Sequence, residues 1–390
     1  MISDRTVNAS LLMLFALQTA WGQGSIATAR LDAVEQHLKS DSEQARIAGA
    51  VWLVAHDGKI LRHGAAGYRN IGNKAPMRPD SIFRIASMTK PVTVTALMIL
   101  VERGRLSLDD PVVTHLPDFK GSVVKGSAAG ETEKALRAIT VFDLLTHSSG
   151  LPNLPPEPYR DLWWKRDHTL AEAAAVYASL PLEYQPGTSS IYSNPGMALV
   201  GRLVEVISGQ PYETFVETEI LRPLRMSETF YRLPPSMNDR LASMHARGPA
   251  GVTPDESREG STSAKYPSPE GGLFSTATDM FRFYQAMLNG GNLDGVRILS
   301  RASAQAMVEA RSAQAEKESA IGIRYGLGWW VTSGRRGRYA MLPENTFGHD
   351  GGYGTTGWVI PQARLVGILM VQGGADERAI FRNMLAAAIQ

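Results

Sequence analysis

Ile82-Phe83-Arg84-Ile85-Ala86-Ser87-Met88-Thr89-Lys90-Pro91, continuing through Val92 to Val101, is the stretch that decides the reading of this chain. From Pro91 to Val101 it is apolar on nearly every face, and Gly104 stops it, so it predicts a buried helix. Proline is tolerated in a first helical turn, which sets Ser87 and Lys90 at the helix start. Residues three apart share a helix face, so the hydroxyl and the amine point the same way. A serine attacks poorly until a neighbouring base takes its proton. Lys90 can be that base once desolvation keeps its amine neutral for part of the time. Helix N-terminal amides favour the negative charge that then develops.

The spacing alone is weak. Ser122-Val123-Val124-Lys125 repeats it within a glycine-flanked stretch that reads as loop, and Ser87 by itself suits a helix cap with a solvated lysine one turn on. Two further motifs follow in order. Tyr192-Ser193-Asn194 lies after the turn signal Gln185-Pro186-Gly187-Thr188 and before a helical run from Gly196 to Ile207, closed by Ser208-Gly209. A phenol beside an amide there can complete a proton relay with Lys90. His349-Asp350-Gly351-Gly352 ends a strand-like piece beginning at Asn345, and its glycines leave the Gly352 N–H free to point at an oxyanion. Copies of these two motifs, Tyr68-Arg69-Asn70 and His56-Asp57-Gly58, precede Ser87; the latter reads as a hairpin turn between Val51–Ala55 and Lys59–His63.

In this order the motifs resemble the serine β-lactamase and penicillin-binding-protein superfamily, whose signature is Ser-x-x-Lys, then Tyr-x-Asn or Ser-x-Asn, then Lys-x-Gly or His-x-Gly. Within it the chain is similar to the class C branch and to the carboxylesterases, called family VIII, that share its fold. Gly104-Arg105-Leu106-Ser107-Leu108-Asp109-Asp110-Pro111, Leu144 to Leu151 and Gly271-Gly272-Leu273-Phe274-Ser275-Thr276 extend the likeness from about Ile47 to near the C-terminus. The resemblance implies an α+β, β-lactamase-like fold, an antiparallel sheet flanked by helices with an inserted mainly helical domain. It implies Ser87 as nucleophile of a covalent acyl-enzyme, with Lys90 and Tyr192 sharing the base role and the order of proton transfer between them open. The Ser87 and Gly352 N–H groups would form the oxyanion hole. Asn194 would orient Lys90 or the substrate carbonyl, and His349, beside Gly351, would keep Tyr192 hydrogen-bonded.

The substrate expectation rests on a departure. Class C lactamases carry Lys-Thr-Gly at the third motif; here the position is His349, largely neutral above ~6.5, with Asp350 adding a negative charge. Both disfavour an anionic substrate. Tyr353, with Trp163 and Trp164 as an aromatic flap or a packed loop, suits a short neutral acyl group. The expected activity is that of a carboxylesterase on short-chain acyl esters, with β-lactam hydrolysis weak or absent. A D,D-peptidase or class C-type β-lactamase is the alternative, and a catalytically silent binding protein on the same fold is the second. His147 reads as a histidine closing a helix, and Tyr325, Trp329, Trp330 and Trp358 read as sheet core.

Composition sets outer limits. The 390 residues are 44% hydrophobic and 20% charged, enough for two lobes around one cleft. Forty basic against 38 acidic side chains, with no basic stripe, give no nucleic-acid signature. Without cysteine, disulfides and thiol catalysis are excluded, and Gly-x-Ser-x-Gly, the usual esterase elbow, does not occur. The scattered histidines suggest no metal, no cofactor is expected, and the expected partner is a small-molecule ester, with no obligate protein partner. Leu11–Leu17 is too short to span a bilayer and long enough for a signal core, so residues 1–29 read as a signal segment cleaved after Gly22 or Ala29, and the protein as periplasmic or secreted; the alternative is a short amphipathic helix of a cytoplasmic protein. Residues 30–84 and 265–390 are assigned to an α/β domain, with strands at Tyr339–Leu342, Asn345–His349, Gly357–Ile360 and Leu365–Val371 and a helix from Asp376 to Ile389. Residues 85–264 are assigned to a mainly helical domain, and Arg240 to Pro269 to a polar surface excursion.

Overall fold

Val51, Leu53 and Ala55 face one way along their strand while Ala50, Trp52 and Val54 face the other, and both sets are buried. A strand covered on both faces belongs in the middle of a sheet with a layer on either side. The computed structural model, which describes residues 25–128, 130–255, 257, 264–312, 321–374 and 376–390, has that arrangement. Its main sheet contains β1 (Gly49–His56), β2 (Lys59–Asn70), β3 (Ala75–Pro76), β4 (Ile323–Tyr325), β5 (Trp330–Thr332), β6 (Phe347–Asp350), β7 (Thr356–Ile360) and β8 (Leu365–Val371), in the order β4-β5-β6-β7-β8-β1-β2-β3. Its ladders are antiparallel. The early hairpin thus joins the late meander through β1 and β8, with Ala50 opposite Val371 and His56 opposite Leu365. Asp57 and Gly58 both have positive φ, +51° and +76°, the type I′ geometry that matches the twist of hairpin strands.

On one face lie α1 (Thr28–Glu43) and α7 (Arg378–Ala387), packed on Trp52, Trp358 and Leu369. On the other lie α2 (Thr89–Glu102), α3 (Val141–Leu145), α4 (Leu170–Ser179), α5 (Asn194–Ser208) and α6 (Ala277–Leu288), all contributing to the larger core. Twelve successive residues of α2, Thr89 to Leu100, are buried, so it is the central helix of this layer. The large antiparallel sheet flanked by helices matches the expected fold.

Several local expectations are corrected. Tyr339–Leu342 is not a strand: Gly337–Tyr339 forms a single 3₁₀ turn, which buries the Tyr339 ring 5.2 Å from Trp358 and beneath the Arg382 guanidinium. The edge strand β4 and its neighbour β5 escaped the sequence because three residues carry too little alternation to detect. Val123–Lys125 is strand rather than loop, paired with Thr132–Lys134, and Lys125 is spent on Glu183 at 2.8 Å. The Arg240–Pro269 excursion holds a hairpin, His245–Gly248 with Gly251–Pro254, and its end turns inward, burying Tyr266 and Ser268. The Leu11–Leu17 run lies outside the described residues. Among those residues, no helix is long and apolar enough to cross a membrane.

Candidate active site

Ser87 sits in a single 3₁₀ turn, Ala86–Met88, that runs into α2. Ala86 is held at φ +45°, a conformation unfavourable for a residue with a Cβ, so surrounding bonds must impose it. Thr89 Oγ1 donates to the Ala86 carbonyl at 2.7 Å, and Ile85 N–H donates to the Leu273 carbonyl at 3.0 Å. From the sheet side, Thr355 Oγ1 donates to the Ile85 carbonyl, and Gly351 packs so closely that a Cβ there would meet that oxygen at 2.4 Å. Gly351 is therefore the residue that lets β6 approach the Ser87 turn.

Lys90, fully buried, donates from Nζ to Ser87 Oγ at 3.0 Å, to Asn194 Oδ1 at 2.9 Å and to the Glu270 carbonyl at 2.6 Å. Burial strips water from the ammonium and lowers its pKa from 10.5 to about 7, with the Glu270 carboxylate opposing the fall. Asn194 opens α5. Its Nδ2 donates to the Asn153 carbonyl, which turns Oδ1 toward Lys90, while Ser193 caps the helix by accepting from Gly196 N–H at 3.0 Å.

The Tyr192 phenol is hydrogen-bonded to Ser87, and its ring lies 4.6 Å from Lys90 Nζ. Burial pushes that phenol well above 10, so it is protonated at neutral pH. His147, which follows α3 at φ +57°, fixes Tyr192 from behind: its Nδ1 accepts from Ser193 N–H at 3.1 Å and its ring lies 4.8 Å from the Tyr192 ring. Burial and the nearby Lys90 hold His147 well below 6.5, hence neutral. It closes a helix, as expected, and also orients the phenol.

His349 is buried and neutral, lowered to about 3 by burial and by Lys90. Its Nδ1 donates to the Asp350 carbonyl at 2.8 Å, and its ring stacks on Trp330 at 4.7 Å. Its contact with Tyr192 is ring packing at 6.1 Å rather than the expected hydrogen bond. Trp330 and Tyr325 accordingly surround the His147–Tyr192–His349 group, whereas Trp329 and Trp358 are core. Asp350 requires a larger correction. Strand alternation turns it away from the cleft, onto the α7 face, where Arg382 holds both carboxylate oxygens at 2.8 and 3.0 Å and Trp358 Nε1 donates at 3.2 Å. Its charge is paired with Arg382 behind the sheet, and the residue does not line the cleft.

The cleft, about 610 Å³, is lined by Ser87, Gly352, Tyr353, Trp163, Trp164 and Tyr266. Arg84, Arg166 and Arg232 also line it, as does Glu270; none of these four was singled out from the sequence. A group of metal-ligand type, His37, Asp41 and Glu377, lies between α1 and α7, with His37 Nε2 2.7 Å from Glu377. Chemically, a hydroxyl held by a near-neutral amine and a phenol is equipped for acyl transfer.

Residues 34–390 match the beta-lactamase family model. The chain belongs to that family. Protein Rv1367c of Mycobacterium tuberculosis is 32% identical over 384 residues, covering 89% of this chain and 91% of that one. Esterase EstB of Burkholderia gladioli is 36% identical over 210 residues, 51% of this chain and 50% of its own. Among solved structures, EstCE1, described as a hydrolase with promiscuous acyltransferase activity, superposes with a TM-score of 0.80 over 93% of this chain and 99% of its own, at 24% identity. Other matching relatives bear amidase, penicillin-binding-protein and carboxypeptidase names. The protein is a serine hydrolase of the β-lactamase and penicillin-binding-protein superfamily.

Proposed function

We propose that this hydrolase is a carboxylesterase that cleaves short-chain acyl esters through an acyl-enzyme on Ser87. The observation that carries the reading is the Lys90 amine, 3.0 Å from Ser87 Oγ and brought to about pH 7, facing an aromatic cleft whose third motif supplies an uncharged histidine. Ser87 Oγ attacks the ester carbonyl as its proton passes to the Lys90–Tyr192 pair, and the Ser87 and Gly352 N–H groups receive the oxyanion. The pair returns that proton to the departing alkoxide. Water, deprotonated through Tyr192, then attacks the acyl-enzyme and frees Ser87. Asn194 keeps the Lys90 lone pair directed at Ser87. His349 and His147, both neutral, pack the Tyr192 ring.

Because Asp350 faces away, the case against anionic substrates rests on His349 alone. EstB, named an esterase, is consistent with the ester reading. One observation favours a D,D-peptidase instead: Arg84, Arg166 and Arg232 on the cleft wall can meet a carboxylate. The deciding comparison is kcat/KM on p-nitrophenyl butyrate, nitrocefin and a D-Ala-D-Ala peptide. The ester is expected to be fastest, and a higher value for either of the others would reverse the assignment.

A further inference from the structure

Ser268-Pro269-Glu270-Gly271-Gly272 passes directly behind Ser87. Gly201 on α5 leaves room for it, since a Cβ there would sit 2.3 Å from Pro269 Cγ, and Thr93 Oγ1 anchors the Pro269 carbonyl at 2.5 Å. The Glu270 carbonyl is a ligand of Lys90 Nζ. Its side chain is unusual. Glu270 is 2% exposed, and among the described residues neither carboxylate oxygen meets a donor at full hydrogen-bonding geometry, the Ser268 hydroxyl and the Glu270 N–H being the donors that act on it. Burying a carboxylate with donors so poorly aligned is costly, and protein folds rarely tolerate it unless an opposite charge or a function compensates.

Burial raises the Glu270 carboxyl above its ordinary value, and two cations oppose that rise and favour the ionised form, Arg166 from the segment before α4 and Lys90 from α2. The remaining titratable groups facing it are phenols: Tyr177 on α4, Tyr192 before α5, Tyr212 beyond α5, and Tyr266. Lys90 in turn faces His147 and His349, both neutral, and the amide oxygen of Asn194. Glu270 is therefore the carboxylate whose charge acts on the amine that receives the Ser87 proton.

We propose that Glu270 is the counter-charge of Lys90, a positioning residue whose buried carboxylate stabilises the ammonium formed as Ser87 is acylated and so acts through Lys90. When Lys90 takes the proton, a full positive charge appears where water cannot reach it. The carbonyls of Asn194 and Glu270 offer dipoles, whereas the carboxylate offers a charge. Without it, desolvation alone acts on the amine and makes it a weaker base. An opposite charge within about 4–6 Å raises an amine pKa by about 1–3 units.

The test is the rate at which a fluorophosphonate probe labels Ser87 as a function of pH, in the wild type, Glu270→Gln and Glu270→Asp. Labelling is a single acylation and is independent of the natural ester. The inference rests on the acyl-transfer reading of Ser87 and Lys90: wild-type labelling at Ser87, with an acid limb near pH 7, checks that reading, while the difference between variants checks Glu270. In Glu270→Gln the acid limb is expected to move about one unit or more to lower pH, with a slower plateau from the weaker base. Glu270→Asp, which keeps the charge, is expected to restore most of the shift. Where Glu270→Gln does not fold, Glu270→Ala removes the charge without leaving a polar head group to bury. A folded, charge-removed variant whose limb stays in place or moves to higher pH would overturn the proposal.

Discussion

The acid limb of the pH–rate profile is the sharpest consequence of this site. Lys90 acts as a base only when unprotonated, and its pKa is brought to about 7. Activity is therefore lost as pH falls through that value. The neutral fraction is about half at pH 7 and about a tenth at pH 6, so kcat/KM on p-nitrophenyl butyrate should fall roughly tenfold for each further unit of acid. Neither histidine of the site competes for the assignment, because burial holds both His147 and His349 neutral throughout this range. Asp279, raised to about 6 by burial, is hydrogen-bonded to Glu228 N–H and Thr229 and does not line the cleft. On the alkaline side the Tyr192 phenol is pushed above its ordinary value of 10, so no second limb is expected below that pH. The assay is a kcat/KM profile from pH 5 to 10 at two temperatures. Ammonium ionisation is endothermic, so a Lys90 limb moves to lower pH on warming, while a carboxylate limb scarcely moves. A limb centred near pH 4–5 and unmoved by temperature would refute Lys90 as the base. A limb near 9 that falls on the alkaline side would refute the protonated phenol.

Three further outcomes are expected. Ser87→Ala, Lys90→Ala and Tyr192→Phe should each lower kcat by about 10³ to 10⁶, since members of one relay fail as a unit, and Ser122→Ala should be near neutral; a dead Ser122 variant beside an active Ser87 variant would reverse the nucleophile assignment. Arg382→Met should cost about 3–5 kcal/mol in urea unfolding by leaving Asp350 buried and unpaired, and Arg382→Met combined with Asp350→Asn should cost less than the sum of the two single changes. We propose that the protein is exported, with the mature chain starting after Gly22: Ile26 pairs with Ile389 and α1 begins at Thr28, so cleavage after Ala29 would cut into packed structure. N-terminal sequencing of material from the native host that returned an intact Met1 would refute this.

What the sequence disclosed and what it hid follow from the range of the signals involved. The α2 and α5 boundaries, the β1–β2 hairpin and the β8 strand were legible because each is written locally, in a proline, an αL glycine at Gly209, an Asp-Gly turn or an unbroken apolar run. Ser87, Lys90, Tyr192 and Asn194 were found the same way, as short motifs at element ends. Side-chain direction at an irregular edge is not local. Asp350 adjoins His349 in sequence, yet one step along a strand carries it to the opposite face and to Arg382, 32 residues away. Glu270 was hidden more thoroughly. It lies in a Pro- and Gly-rich stretch of a kind that usually marks solvent-facing loops, and what makes it notable, a carboxylate buried where its charge acts on Lys90, exists only once α2, α5 and that segment have packed. The one trace in the sequence was its position immediately before Gly271-Gly272. An acid beside glycines that let backbone approach a nucleophile is placed to act on the nucleophile's base through charge, and it needs no motif of its own to do so.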